Sequence, residues 1–231
     1  MRIGVVVFPG SLDDGDAVRA IGLAGGTAVK IWHESRDIED IDALVLPGGF
    51  SFGDYLRCGA IAARSPIMSE VVHQAKKGLP VLGICNGFQI LLESGLLPGG
   101  LIRNRDGRFI CRDQKLKVEN TSNVWTSKFS ESQEITIPLK SGEGGFIAGT
   151  ESLKKIEGEG LVTLRYSRSN PNGSSLDIAG ISDRSGRIMG LMPHPEHAVE
   201  LGFGPDVDEA MKSGQDGLTM FRSAVEMLAH A

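Results

Sequence analysis

The sequence predicts an α/β fold in which a parallel sheet is covered by helices on both faces. In the first half of the chain, short and continuously apolar runs, typical of strands buried on both faces, alternate with stretches of helical length. Turns rich in glycine and proline separate them at the spacing of βαβ units. The second half contains short β-like runs with few helical stretches between them, which predicts antiparallel extensions of the same sheet.

Each element follows from a local segment. Strands are predicted at 3–8, 28–32, 43–46 and 79–84, and helices at 13–23, 64–77 and 87–94. In the second half, β-like runs cover 108–119, 134–139, 161–166, 176–182 and 187–192, and an amphipathic helix covers 216–229. No linker rich in proline, glycine and serine divides the chain, so a single domain over residues 1–231 is expected.

Composition excludes several functional classes. The 31 glycines follow no three-residue period, which excludes collagen and indicates turns and close backbone approaches. A net charge of −5 without a basic stripe argues against nucleic-acid binding. Three cysteines without a CxxC pair argue against disulfides and structural zinc, and predict a reducing cytosol. The apolar run at 3–8 is too short for a signal sequence or a membrane span, so we expect a cytoplasmic protein without membrane contact.

Cys85 lies in the pattern G-x-C-x-G, between a predicted strand and a predicted helix. This is the context of a nucleophile elbow, a tight turn that exposes a reactive side chain. A Cβ at Gly83 or Gly87 would clash in such a turn, and the N-terminus of the helix favours negative charge on the sulfur. The N–H of Asn86 would then face a developing oxyanion. The alternative is a buried core cysteine, a common fate of this residue type.

The tripeptide His194-Pro195-Glu196 follows the β-like run at 187–192. We expect the prolines to hold this segment extended, so that the side chains of His194 and Glu196 point the same way. The carboxylate would then fix the tautomer of the imidazole, which supplies the base and the orienting group that a cysteine nucleophile needs. One alternative is an ordinary hydrogen-bonded histidine in a loop. Another is a metal site at His194 and His197, but the sequence offers no third ligand beside them.

A third motif precedes these two along the chain. It is the turn Pro47-Gly48-Gly49 at the end of a predicted strand, where free N–H groups would complete an oxyanion hole. The order P-G-G, G-x-C-x-G-x-Q and H-P-E resembles the triad-type (class I) glutamine amidotransferases. This resemblance implies a flavodoxin-like three-layer sandwich with a largely parallel central sheet.

The resemblance also implies a role for each site residue. Cys85 would be the nucleophile, His194 the base and acid, and Glu196 the group that orients the histidine. The N–H of Gly49 or Phe50 would join that of Asn86 in holding the oxyanion, and Gln89 has the glutamine-contacting position. The resemblance implies no metal and no cofactor in this chain.

Longer segments resemble one subfamily, whose members supply ammonia to a separate synthetase in the fourth step of purine biosynthesis. These segments are 47–59, 83–89, 170–174 and 178–196. The resemblance implies L-glutamine as substrate and a large synthetase subunit, using ATP and Mg²⁺, as partner, and it leaves open a third small subunit. A chain of 231 residues can hold a domain that releases ammonia, but it is too short to hold an ATP-dependent synthetase as well. We therefore expect this protein to work as one half of a complex. Leu12, Ser141 and His197 depart from the subfamily pattern, which bears on loop contacts and on the partner-facing surface.

Three other hypotheses stay open on the residues alone. A glutaminase could serve a different synthetase, a cysteine hydrolase of a related α/β fold could act on peptides or small adducts, and a regulatory subunit could keep the fold without turnover. The H-P-E pair favours the amidotransferase over the hydrolase. An intact set of Cys85, His194 and Glu196 argues against an inactive subunit.

Overall fold

The computed structural model describes residues 1–38, 40–201 and 214–229, which contain eleven strands and five α-helices. The strands are β1 (Arg2–Val7), β2 (Thr27–Trp32), β3 (Ala43–Leu46), β4 (Val81–Ile84), β5 (Gly100–Ile102), β6 (Ile110–Val118), β7 (Glu134–Ser141), β8 (Gly145–Ile147), β9 (Val162–Tyr166), β10 (Ile178–Ser182) and β11 (Ile188–Leu191). The helices are α1 (Asp14–Leu23), α2 (Pro66–Lys76), α3 (Asn86–Glu93), α4 (Thr150–Gly158) and α5 (Asp216–Ala229). Within the described ranges, no helix is long and apolar enough to cross a membrane.

Nine of these strands form one sheet in the order β2-β1-β3-β4-β11-β10-β9-β6-β7. The first five run parallel, and β10, β9, β6 and β7 extend the sheet in antiparallel pairs, which confirms the predicted α/β class. One expectation was wrong, because β11 pairs with β4 in parallel, from Ile188 opposite Val81 to Leu191 opposite Ile84. The ends of β4 and β11 therefore lie side by side, and they lead to Cys85 and to His194.

Burial explains why the two halves of the sheet differ in sequence. Every residue of β3, β4 and β11 is buried, so both faces of these strands are covered, and α3 packs against all three on one face. Strands covered in this way read as continuous apolar runs. Strands β6 and β7 instead alternate between buried and more exposed residues over much of their length, as expected where one face meets water.

Three local features differ from the sequence-based expectation. Helix α4 was not predicted, because Ile156 is its single buried residue and its apolar periodicity is weak. The short ribbon of β5 and β8 was also missed, since three-residue strands carry little pattern. Helix α2 begins at Pro66 and not at residue 64, because Ser65 precedes a proline and is held extended, with ψ 150°.

Candidate active site

Cys85 sits on a strained turn between β4 and α3. Its backbone adopts φ 49° and ψ −103°, a conformation that residues with a side chain rarely occupy. A Cβ at Gly83 would lie 2.6 Å from the carbonyl oxygen of Gly87, and one at Gly87 would lie 1.9 Å from that of Leu46. Because both obstacles are backbone atoms, this turn accepts only glycine at the two flanking positions.

The sulfur of Cys85 borders a cavity of about 490 Å³, a size typical of small-molecule sites. The cavity has walls from both halves of the chain, and its lining includes Gly49, Phe50, Gln89, Glu143 and His194. Most of the site residues expected from the sequence therefore meet at one opening. The cavity lies at the carboxyl ends of parallel strands, where open α/β sheets place their ligands.

His194 and Glu196 form the closest polar contact of the site. Nδ1 of His194 lies 2.6 Å from Oε1 of Glu196, and both side chains are buried. On the other side of the ring, Nε2 lies 3.3 Å from the carbonyl oxygen of Lys140. The same oxygen lies 3.5 Å from Sγ of Cys85, so the thiol and the imidazole meet beside it. Both ring nitrogens face acceptors, an arrangement suited to an imidazolium.

The segment that carries this pair is a tight turn, and the expectation of an extended segment was wrong. Residues Pro195–His197 form one turn of 3₁₀ helix, closed by the N–H of His197 donating to the carbonyl oxygen of His194 at 3.1 Å. Proline is compatible with this turn, because its fixed φ suits the first helical position. The two side chains still meet, but through the turn and not through strand alternation.

Charges around His194 favour its protonated form. Burial alone would lower the pKa of the imidazole, but the charges of Glu196 and Cys85 and the contact with Asp13 raise it well above its usual value. The histidine is therefore stabilised as an acid, the form that must donate a proton to a leaving group.

Two backbone N–H groups are available next to Cys85. The N–H of Phe50 donates to the carbonyl oxygen of Gly10 at 2.9 Å, so it is already used. In the described part of the chain, the N–H of Gly49 has no acceptor, nor does that of Asn86, the first residue of α3. The backbone of Gly49 has φ 144°, and a Cβ there would lie 2.7 Å from that same Gly10 oxygen. Of the two alternatives, the geometry favours Gly49 over Phe50.

The side chains of Asn86 and Gln89 connect three parts of the site. Oδ1 of Asn86 accepts from the N–H of Ser51 at 3.2 Å, and its Nδ2 donates to Oε1 of Gln89 at 2.9 Å. Nε2 of Gln89 donates in turn to the carbonyl oxygen of Glu143 at 2.9 Å. These bonds hold the loop after β3, the start of α3 and the loop after β7 around the cavity.

Sequence reasoning missed Asp13 and Lys140. Oδ2 of Asp13 lies 3.3 Å from Nδ1 of His194, and its Oδ1 lies 3.1 Å from both Nζ of Lys140 and Nε2 of His197. A Cβ at Gly48 would lie 2.4 Å from this carboxylate, which explains the glycine there. The sequence identified Asp13 only as an acid at a helix start, and no spacing rule links residue 13 to residue 194.

The same residues bear on the metal alternative. Asp13 supplies the third group that the sequence did not offer, because the ligand atoms of Asp13, His194, Glu196 and His197 all lie within 4.8 Å of one another. Nζ of Lys140 lies 3.1 Å from Oδ1 of Asp13 and 2.9 Å from Nε2 of His197, so a lysine ammonium already stands beside the carboxylate of this cluster. We therefore describe the cluster as a hydrogen-bonded network built around a protein cation.

The three departures from the subfamily pattern lie close to the site. Leu12 is 61% exposed and lines the mouth of the cavity. Ser141 is buried and also lines the cavity, and its Oγ has no hydrogen-bond partner in the part of the chain that the structure describes. His197 contacts Asp13, as described above. His197 thus belongs to the network around His194.

The elbow cysteine, the buried histidine–glutamate pair and the N–H groups of Gly49 and Asn86 form a site suited to amide hydrolysis by a cysteine nucleophile, the chemistry of glutamine amidotransferases. Residues 1–228 match the family model for the CobB/CobQ-like glutamine amidotransferase domain. The chain is 65% identical over 225 residues to phosphoribosylformylglycinamidine synthase subunit PurQ of Leifsonia xyli, with 97% of each chain covered. It is 56% identical to the subunit of the same name from Rhodococcus jostii, covering 100% of this chain and 99% of that one.

A solved structure agrees with these relatives. The structure of PurLQS from Thermotoga maritima contains a chain with 40% sequence identity and a TM-score of 0.87, and the match covers 98% of both chains. The chain therefore belongs to the PurQ family of phosphoribosylformylglycinamidine synthase subunits, within the CobB/CobQ-like glutamine amidotransferases. This membership agrees with the resemblance seen in the sequence.

Proposed function

We propose that the chain hydrolyses L-glutamine to glutamate and ammonia and delivers the ammonia to a separate synthetase subunit. That partner would use it, with ATP, to convert formylglycinamide ribonucleotide to formylglycinamidine ribonucleotide in purine biosynthesis. The observation that carries the proposal is the contact of His194 with Glu196 at 2.6 Å beside the elbow cysteine, at the wall of one cavity. Family membership supplies the partner reaction.

The first chemical step is attack on the side-chain amide of glutamine. Nε2 of His194 holds the proton that the Cys85 thiol has given up, and the resulting thiolate sulfur forms a bond to the amide carbon. The carbonyl oxygen becomes an oxyanion, which accepts hydrogen bonds from the N–H groups of Gly49 and Asn86. Glu196 accepts from Nδ1 throughout and so holds Nε2 towards the sulfur.

Release of ammonia and hydrolysis complete the cycle. The imidazolium of His194 gives its proton to the leaving nitrogen, the carbon–nitrogen bond breaks, and a glutamyl thioester remains on Cys85. The neutral imidazole then takes a proton from water, and the resulting hydroxide attacks the thioester carbon. Glutamate leaves as the carbon–sulfur bond breaks, and the sulfur receives the proton from His194. The raised pKa of His194 suits it to the donating half of this cycle.

Ammonia must travel to the partner without mixing with bulk water. At neutral pH free ammonia is mostly ammonium, which has no lone pair for attack, so the transfer path has to be enclosed. The mouth of the cavity carries exposed apolar side chains, with Leu12, Phe50 and Phe109 exposed by 61%, 45% and 56%. An apolar rim of this kind supports docking of the synthetase over the cavity.

The remaining parts of the proposal concern cofactors and location. ATP and Mg²⁺ would be bound by the synthetase, because the steps assigned to this chain need only proton transfer and a thioester. The need for a third small subunit stays an open part of the proposal, and reconstitution with and without such a subunit tests it. The free thiols of Cys58, Cys85 and Cys111 support a cytoplasmic location, since a reducing compartment keeps such thiols unpaired.

A Cys85→Ala variant tests the proposal. In complex with the synthetase, it should lose glutamine-dependent product formation and keep ammonia-dependent formation, because only the supply of ammonia is removed. The matched control is Cys111→Ala, which removes an exposed thiol that does not line the cavity and should keep both activities. Normal glutamine-dependent activity of Cys85→Ala would end the proposal.

A second measurement addresses activation by the partner. Glutaminase activity is measured for the chain alone and together with the synthetase, its ribonucleotide substrate and ATP. We expect a higher rate in the complex, because the partner covers the exposed mouth of the cavity. An equal rate in both cases would contradict activation by docking while leaving the chemistry of Cys85 intact.

A further inference from the structure

Asp13 occupies the N-cap position of α1 without capping it. Aspartate is among the preferred N-cap residues because its carboxylate accepts from the free N–H groups of the first turn. Here the side chain makes no such bond. It turns away to His194, His197 and Lys140, and it is buried. A buried carboxylate that does not accept from the helix N-terminus needs other polar partners, because burial removes its hydration.

Those contacts orient the carboxylate towards the imidazole. Oδ1 of Asp13 lies 3.1 Å from Nζ of Lys140 and 3.1 Å from Nε2 of His197. This leaves Oδ2 facing Nδ1 of His194 at 3.3 Å. His194 therefore has two carboxylates at the same nitrogen, the nearer one from Glu196.

Lys140 connects this network to the reacting atoms. Its ammonium holds Asp13, and its carbonyl oxygen borders both Sγ of Cys85 and Nε2 of His194. Lys140, a residue of β7, thus contacts the network through its side chain on one side of the imidazole and through its backbone on the other. Moving the Asp13 carboxylate would disturb the same peptide that borders both the sulfur and the imidazole.

We infer that Asp13 is a second positioning carboxylate for His194, which holds the imidazole in place and stabilises its protonated form during catalysis. The inference rests on the proposed role of His194 as base and acid. The charged groups that face the imidazole come from every element around it: Glu196, Asp13, Cys85, Lys140 and His197. Asp16 lies one contact further out, 3.8 Å from His197.

The ionisation of Asp13 agrees with this role. Burial would raise the pKa of its carboxyl group, but hydrogen bonds from His194 and His197 and the charge of Lys140 hold it far below its usual value. The carboxylate is therefore negative at every pH at which the enzyme would work. Its field favours an imidazolium over a neutral ring, so losing the charge must lower the pH at which His194 gives up its proton.

The test is the titration of His194 in Asp13→Asn, which keeps the shape of the side chain and removes its charge. The ¹⁵N shifts of the imidazole nitrogens are followed against pH in the full chain. We expect the midpoint for His194 to move to lower pH by about one unit or more, as for loss of an opposite charge within contact distance. In complex with the synthetase, kcat for glutamine hydrolysis should fall about tenfold while KM changes little.

Three further variants separate this effect from a structural one. Asp14→Asn removes the same charge one residue on, where the partner is Lys30 at 2.8 Å, and should leave the titration of His194 unchanged. Serine is a good N-cap residue, so Asp13→Ser keeps the start of α1 and removes the charge. This variant should shift the titration midpoint of His194 as Asp13→Asn does. Asp13→Glu restores the charge and should recover most of the midpoint.

An unchanged midpoint in folded Asp13→Asn or Asp13→Ser overturns the inference, even where activity is lost. Cys85→Ala measured in parallel identifies which proposal has failed. If that variant retains glutaminase activity, the proposed function falls. If it is inactive and the midpoint for His194 is the same with and without the Asp13 charge, only the role of Asp13 falls.

Discussion

Glu196 and His194 are two residues apart, and their side chains meet across 2.6 Å inside the protein because Pro195 begins a tight turn between them. The turn places the carboxylate against Nδ1 and leaves Nε2 on the side of Cys85. Oε2 of Glu196 has no hydrogen-bond partner among the described residues, so the carboxylate interacts mainly through its contact with the imidazole. In the proposed mechanism this pair is a preformed base and orienting group.

Glu196→Gln should reduce kcat for glutamine hydrolysis by about 10²-fold or more, because an amide no longer stabilises the imidazolium or fixes one tautomer. Steady-state glutaminase assays on the complex with the synthetase measure this. Ammonia-dependent product formation serves as the internal control and should not change. A variant with unaltered kcat would show that His194 is oriented by other groups.

Gly87→Ala should destabilise the fold, because its Cβ would lie 1.9 Å from a backbone oxygen of Leu46 that cannot move aside. We expect a loss of about 3 kcal/mol or more in the free energy of unfolding, measured by urea denaturation. Gly22→Ala is the matched control, since a Cβ there meets no atom within 4 Å and the residue lies in α1. That variant should gain about 0.5–1 kcal/mol. Equal effects of the two changes would contradict the steric argument.

Cys58 should resist alkylation in the native protein, although it lines the same cavity as Cys85. Burial, the hydrogen bond to Glu143 and the charge of Asp54 raise the pKa of its thiol far above its usual value. Iodoacetamide at pH 8, followed by mass spectrometry of the peptides, should modify exposed Cys111 and leave Cys58 intact. Unfolding in guanidinium should make all three thiols reactive, and early labelling of native Cys58 would argue against this environment.

Gln89→Ala should raise KM for glutamine by about tenfold and lower kcat less, because the side chain lines the cavity and its hydrogen bonds go to Asn86 and to the loop at Glu143. Initial rates across glutamine concentrations separate the two constants. Ammonia-dependent synthesis by the same complex should be unaffected. A fall in kcat with KM unchanged would instead place Gln89 in the stabilisation of the transition state.

Much of this molecule is predictable from local pattern. The buried strands β1, β3 and β4 read as apolar runs, and the elbow at Cys85 reads from its two glycines, because each depends on neighbours in sequence. Helix α4 could not be predicted in this way, because it has a single buried residue. The ribbon of β5 and β8 could not either, because each strand has only three residues. The parallel pairing of β11 with β4 is a choice between sheet neighbours that no local pattern records.

The sequence by itself determined the α/β class and the family, and it predicted the elbow at Cys85 and the histidine–glutamate pair, because these depend on residue types at short and fixed spacings. Only the tertiary structure decided that the amide of Phe50 is already used, while that of Gly49 has no acceptor among the described residues. It also brought Asp13 to His194 across most of the chain. The physical reason is that hydrogen-bond partners and local charge depend on which distant segments share the same space, and packing alone sets that.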